Sequence, residues 1–146
     1  MKRLQYARSQ LHSAISLLTA VSADVEDVHY GAVMGVVGQL ELLLEVVSLK
    51  DSAENVSDAL KIDVAAMLGE SAFAMGPRSL LDDYASVRLE SVAAAVLSIQ
   101  SRYLDADDKP LRMIGSTMYE ARLWIAAAKH AVNSELNAFP EIYLAA

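Results

Sequence analysis

Apolar residues recur along most of the chain in alternating steps of three and four, the spacing of a helix that buries one face. The first apolar stripe runs from Leu4 to Val21 and the second from Val33 to Val47. Beside its stripe, the second segment carries further apolar residues: Val37, Leu42, Leu44 and Val46. We therefore expect the second helix to be the most central one.

Three more stripes follow, from Ala53 to Met67, from Ala85 to Tyr103 and from Leu111 to Val132. Asp51 and Glu54 have the spacing of a variant capping box, which predicts that the third helix opens at residue 51. Glycine and proline residues between positions 69 and 77 predict its end, because proline cannot continue a helical ladder.

The pattern predicts one all-α domain over residues 1–146, a bundle of about five helices. Its parts are a first antiparallel hairpin over about 2–50, a linking helix over about 51–68, a loop over 69–78, a second hairpin over about 79–137 and an apolar tail over 138–146. A shift of 78 positions places the first two stripes on the last two. One interpretation is an internal pseudo-repeat of the two hairpins. The alternative is a chance match, because any two hairpins of similar length align at some shift.

Composition limits the classes of partner. The chain has 146 residues, of which 54% are apolar and 21% charged, and it has no cysteine, so its core needs no disulfides. The 19 acidic residues outnumber the 12 basic ones, which gives a net charge of −7. Nucleic-acid binding requires clustered lysine and arginine, so we expect no nucleic-acid partner.

Neither a signal peptide nor a membrane span is expected. Arg8, Gln10 and His12 interrupt the apolar start that a signal peptide needs. The longest apolar tract, 31–44, contains Gln39 and Glu41 and falls short of the roughly 20 residues that span a bilayer. The sequence thus favours a cytoplasmic protein without a membrane partner.

Small residues gather near the start of the second helix, at Gly31, Ala32, Gly35 and Gly38. Glycine costs about 1 kcal/mol in a helix, so we expect a neighbouring backbone to pack closely here.

Acidic residues gather in the two hairpin turns. They are Asp24, Glu26 and Asp27 in the first turn and Asp105, Asp107 and Asp108 in the second. If the hairpins lie side by side, both clusters meet at one end of the bundle and attract a basic protein partner. Helix capping is the alternative explanation for these residues.

Some apolar residues exceed what a simple bundle needs. Met113, Trp124, Ala127 and Ala131 form a second stripe on the last helix. Seven apolar residues are candidates for contact with a partner or a second copy of the chain: Phe73, Met75, Trp124, Phe139, Ile142, Tyr143 and Leu144. The alternative is that they fold back onto the chain's own core.

No catalytic motif is evident, and neither a cofactor nor a metal is expected. Glu26 and His29 have the spacing of a di-metal bundle ligand pair, but the second turn offers no histidine. A polar pocket with Glu41, Glu45 and Glu120 would supply an atypical site. Its alternative is a solvated edge, or ion pairs with Arg88 and Arg122.

These observations predict a non-catalytic protein–protein interaction protein. It is expected to be a small stoichiometric inhibitor or regulator of the immunity or phage anti-defence type, or a dimeric adaptor. One alternative is a metal-binding or small-ligand-binding bundle that uses Glu26, His29, Glu41, Glu45 and Glu120. The other alternative is an enzyme with an atypical carboxylate site.

Overall fold

The computed structural model describes residues 2–49, 56–69 and 80–133, and all the secondary structure in these ranges is helical. The elements are α1 (Arg3–Ser22), α2 (Asp27–Val47), α3 (Asp58–Leu68), a π-helical segment (Leu80–Ala85), α4 (Ser86–Leu104) and α5 (Lys109–Asn133). The protein is therefore an all-α helical bundle, as the apolar pattern predicts.

Four long helices surround the core. Helix α1 packs against α2 and α5, and α4 packs against α5 and α2, so that each long helix has two long neighbours. The fully buried large side chains include Leu11, Leu18, Leu40, Leu43, Leu89, Met118 and Ile125. All of them belong to the predicted stripes, because helical spacing directs those positions to one face. Leu4, Met67 and Leu111 are only half-buried at the stripe ends.

Helix α3 begins later than the capping-box pattern predicts. It starts at Asp58, and Ser57 is its N-cap, with a hydroxyl that accepts a 3.2 Å hydrogen bond from the Leu60 N–H. Residues 50–55, including the predicted cap at Asp51, lie outside the described residues, as do 70–79 and 134–146. Serine at an N-cap satisfies an end N–H directly, which explains the start at 58.

Helix α3 is fixed to α4 by a half-buried ion pair. Arg88 donates to both carboxylate oxygens of Asp63, from Nη2 at 2.7 Å and from Nε at 3.1 Å. The buried Tyr84 hydroxyl donates to the same carboxylate. Burial raises the pKa of Tyr84 well above its usual range, and the Asp63 carboxylate raises it further. Such a fully bonded pair holds one arrangement of the two helices.

The close backbone approach lies at Gly115 on α5, away from the predicted glycines. A Cβ at Gly115 would lie 3.0 Å from the Leu104 nitrogen and 3.1 Å from the Tyr103 carbonyl carbon. By contrast, a Cβ at Gly31, Gly35 or Gly38 would meet nothing within 4 Å. The expectation of close packing at the α2 glycines is therefore wrong for the bundle itself, because this side of α2 faces outward.

Helix α2 is long and apolar enough to cross a membrane by length and composition alone, with a mean hydropathy of 1.5. Its buried residues belong to the bundle core: Val33, Val36, Val37, Leu40, Leu43, Val46 and Val47. A helix in a protein core meets the same criteria of length and hydropathy, so these two properties of α2 do not by themselves indicate a membrane span.

We predict opposite effects of alanine at two helical glycines. Gly115→Ala should lower the free energy of unfolding by about 1 kcal/mol. The new methyl group would clash with backbone atoms of Tyr103 and Leu104, and a change of side-chain rotamer cannot remove that clash. Gly35→Ala should raise the free energy of unfolding by about 1 kcal/mol, because the position is open and alanine favours the helix. Urea unfolding of both variants measures the difference, and equal shifts would contradict the close approach at Gly115.

We also predict that an unpaired buried amide destabilises the bundle. Gln10 on α1 is 1% exposed, and among the described residues neither its Nε2 nor its Oε1 has a hydrogen-bond partner. Gln10→Met should therefore raise the free energy of unfolding by about 1–2 kcal/mol. The control is Gln100→Met, which should lower it, because Gln100 is equally buried but accepts a 3.1 Å bond from Arg122. Thermal unfolding should show a higher Tm for Gln10→Met and a lower Tm for Gln100→Met than for the wild type.

Candidate functional site: the acidic end of the bundle

The two acidic turns lie at the same end of the bundle, and Tyr103 links them. Its hydroxyl accepts a 3.1 Å hydrogen bond from the Glu26 N–H and lies 2.5 Å from Nδ1 of His29. Tyr103 is in the last turn of α4, two residues before Asp105. We call the six carboxylates of the turns the acidic end: Asp24, Glu26, Asp27, Asp105, Asp107 and Asp108.

Local chemistry explains why Tyr103 takes this role. The side chain is 1% exposed, so its hydroxyl needs partners inside the protein. Glu26 is the N-cap of α2, and its own side chain makes no capping bond. Because the Tyr103 oxygen accepts the Glu26 N–H, its hydrogen is free to be donated to His29. The His29 ring stands edge-on to the tyrosine ring, with centroids 5.2 Å apart.

The second turn is held by Arg112 from the first turns of α5. Its Nη1 donates to two backbone carbonyl oxygens, of Asp107 at 2.7 Å and of Ala106 at 3.0 Å. Its backbone N–H donates to the carbonyl of Asp108 at 3.0 Å. The guanidinium thus fixes the shape of the turn by bonds to neutral groups and leaves the nearby carboxylates unpaired.

All six carboxylates of the acidic end are exposed. Over residues 2–49, 56–69 and 80–133, none of them takes part in an ion pair or accepts a hydrogen bond. The lysine and arginine residues within four positions of these acids are Arg102, Lys109 and Arg112, so six acids face three bases. The acidic end therefore carries a local excess of negative charge that the fold does not neutralise.

An apolar groove opens beside the acidic end, between the end of α1 and the start of α5. Its volume is about 430 Å³. It is lined by Val21, Asp24, Pro110, Leu111, Met113, Ile114 and Thr117. Val21 and Ile114 are buried, while Met113 is 60% exposed. Asp24 belongs to both the groove lining and the acidic end, so the two features form one continuous surface.

The predicted apolar contact residues are placed differently. Trp124 is half-buried and packs against the core. In the second stripe Ala131 is buried, Ala127 is half-buried and Met113 is exposed. The other candidates lie outside the described residues and stay predictions: Phe73, Met75, Phe139, Ile142, Tyr143 and Leu144.

The candidate polar pocket is dispersed. Glu41 and Glu120 are exposed, and they lie on α2 and α5, which are not packed neighbours. Glu45 binds the cap of α3 instead, accepting the Ser57 N–H at 2.6 Å and the Ser57 hydroxyl at 2.8 Å. The predicted counter-charges have other partners, Asp63 for Arg88 and Gln100 for Arg122.

The candidate metal ligands among the described residues are likewise not brought together. The described part of the chain holds no group of three or more histidine, aspartate or glutamate residues placed to bind a metal ion. In the predicted Glu26 and His29 pair, Nδ1 of His29 is bonded to Tyr103.

No protein-family model, curated protein or solved structure matches this chain.

Sequence reasoning identified the six acids but neither the tyrosine between them nor the groove. Tyr103 counted only as the last residue of the fourth stripe. Its position two residues before an acidic turn was the available signal, because a buried tyrosine needs a hydroxyl partner. The groove had no comparable signal, since it depends on how α5 is set against α1.

We predict that the tyrosine hydroxyl stabilises the acidic end. Tyr103→Phe should lower the free energy of unfolding by about 1–2 kcal/mol, because the Glu26 N–H and His29 Nδ1 lose their partner. Tyr119→Phe is the matched control, since Tyr119 is 50% exposed and should tolerate the change. Amide hydrogen exchange should report faster exchange at Glu26 in the Tyr103 variant alone.

Proposed function

We propose that this protein is a non-catalytic binding protein, a small stoichiometric inhibitor or regulator that engages a basic surface of another protein through its acidic end. The observation that carries the proposal is the meeting of two turns at one end with six exposed, unpaired carboxylates.

The fold itself makes little use of these carboxylates. Helix capping was the alternative explanation, yet the Glu26 side chain makes no cap bond, and within the described ranges none of the other five carboxylates accepts a hydrogen bond. Asp27 retains a favourable position in the first turn of α2, next to the positive end of the helix. Crowded like charges otherwise oppose folding, so a binding role is the better explanation for the excess.

Two acids elsewhere in the described residues form ion pairs: Asp63 with Arg88, and Glu90 with Lys129 at 2.9 Å. At the acidic end, six exposed carboxylates without ion-pair partners lie on two adjoining turns, where together they raise the local negative potential and speed encounter with a positive surface. The same field repels nucleic acids, whose phosphates are also negative.

The test compares two variants of equal net charge. In the first, Asp105, Asp107 and Asp108 become Asn; in the second, Glu41 and Glu120 become Gln and Asp83 becomes Asn. The second set consists of exposed carboxylates away from the acidic end. A protein captured from native lysate by the wild-type chain is purified, and its Kd for each variant is measured by calorimetry.

The acidic-end variant should bind about tenfold more weakly, since three surface charges each contribute roughly 0.5 kcal/mol. The control variant should match the wild type. Binding should weaken with salt in the wild type and less steeply in the acidic-end variant. Equal losses in both variants, or no stoichiometric partner at all, would exclude the proposal.

A further inference from the structure

The apolar groove has the dimensions and lining of a binding site for an apolar group. Its volume of about 430 Å³ lies within the roughly 300–1,000 Å³ range of ligand pockets. Buried Val21 and Ile114 contribute apolar surface to it, and Met113, which also lines it, is 60% exposed. Such exposure of a flexible, polarisable side chain is common at surfaces that accept varied apolar partners.

We propose that the groove receives one large apolar side chain from a partner segment that has lysine or arginine on both sides of it. This inference rests on the proposed function, because it assigns the chemistry of the segment that docks at the acidic end. Leu, Ile, Met and Phe are the side chains that suit its lining of aliphatic carbon and thioether.

Charge complementarity selects this occupant. Asp24 lines the groove, and Glu26 and Asp27 follow it in the first turn. Asp107 and Asp108 precede the α5 residues that line the groove, beginning at Pro110, with one base, Lys109, between them. An apolar side chain in the groove would therefore have carboxylates from both turns near its flanking residues. Basic flanks match them, whereas acidic flanks would face like charge at several points.

The same charges argue against a second copy of this chain in the groove. Two copies joined at this end would bring their acidic ends together, six carboxylates against six. None of these carboxylates has an ion-pair partner within the described residues that would reduce the repulsion. An anionic lipid surface meets the same repulsion.

The test uses short random peptides displayed for selection on the intact protein. Selected peptides should share a large apolar residue between lysines or arginines. A resynthesised peptide is then measured by fluorescence anisotropy, alongside a version in which the apolar residue is serine. Both are titrated with wild type and with Met113→Ser. The control is Leu123→Ser, which removes a comparably exposed side chain on the same helix outside the groove.

The serine peptide and the Met113→Ser protein should each bind about tenfold more weakly, while Leu123→Ser should stay within about twofold of wild type. Thr117→Phe, which fills the groove, should also weaken binding, provided that its circular dichroism matches the wild type. These results would support the groove and the acidic end together.

Other outcomes separate the two ideas. Selected peptides that are basic but insensitive to both groove variants would overturn the groove proposal and leave the proposed function standing. Peptides that bind in the groove without basic flanks would overturn the charge requirement. No enrichment would count against both. Light scattering measures whether a second copy of the chain occupies the groove. A dimer that Met113→Ser converts to monomer would show that it does and would overturn the proposal.

Discussion

Tyr103 contacts α2 through its hydroxyl and α5 through its backbone beside Gly115, and the geometry of the acidic end depends on both contacts. Tyr103 joins the start of α2 to the end of α4 through the Glu26 N–H. Gly115 lets α5 pack closely against the peptide bond between Tyr103 and Leu104. A Cβ at position 115 would lie about 3 Å from the atoms of that peptide. A larger residue at 115 would push α5 away from this peptide, and the groove between α5 and α1 would change with it.

Charge in the bundle is arranged in two different ways. Where helices must be held together, acids are paired or bonded, as Asp63 is with Arg88 and Glu45 is with Ser57. At the acidic end, Arg112 binds carbonyl oxygens and leaves the carboxylates exposed. A fold that needed these acids for stability would be expected to satisfy at least some of their oxygens.

The sequence pattern predicted the helices and their buried faces well, because burial on one face follows from helical spacing alone. For hairpins lying side by side, it also placed the two turns at one end of the bundle, and the Tyr103 hydroxyl, bonded to the Glu26 N–H, joins the start of α2 to the end of α4 there. The pattern failed to predict features that depend on which helix packs against a given helix face. The α2 glycines face open space, and the close approach falls on Gly115. The start of α3 also differed, because Ser57 is a competing cap that spacing alone does not rank against Asp51. The groove depends on how α1 and α5 are set against each other, which no local pattern encodes.

The acidic end and its groove are formed by contacts within this chain. Tyr103 and Arg112 fix the two turns through hydrogen bonds, and Val21 and Ile114 belong to the buried core. Binding would then require little ordering of this chain, which removes one of the main costs of association. The two features should also act on different rates. Exposed charges act at a distance and chiefly increase the association rate, whereas an apolar side chain in the groove acts only after contact and chiefly slows dissociation. A surface divided in this way can bind quickly at low salt and still retain its partner when salt screens the charges.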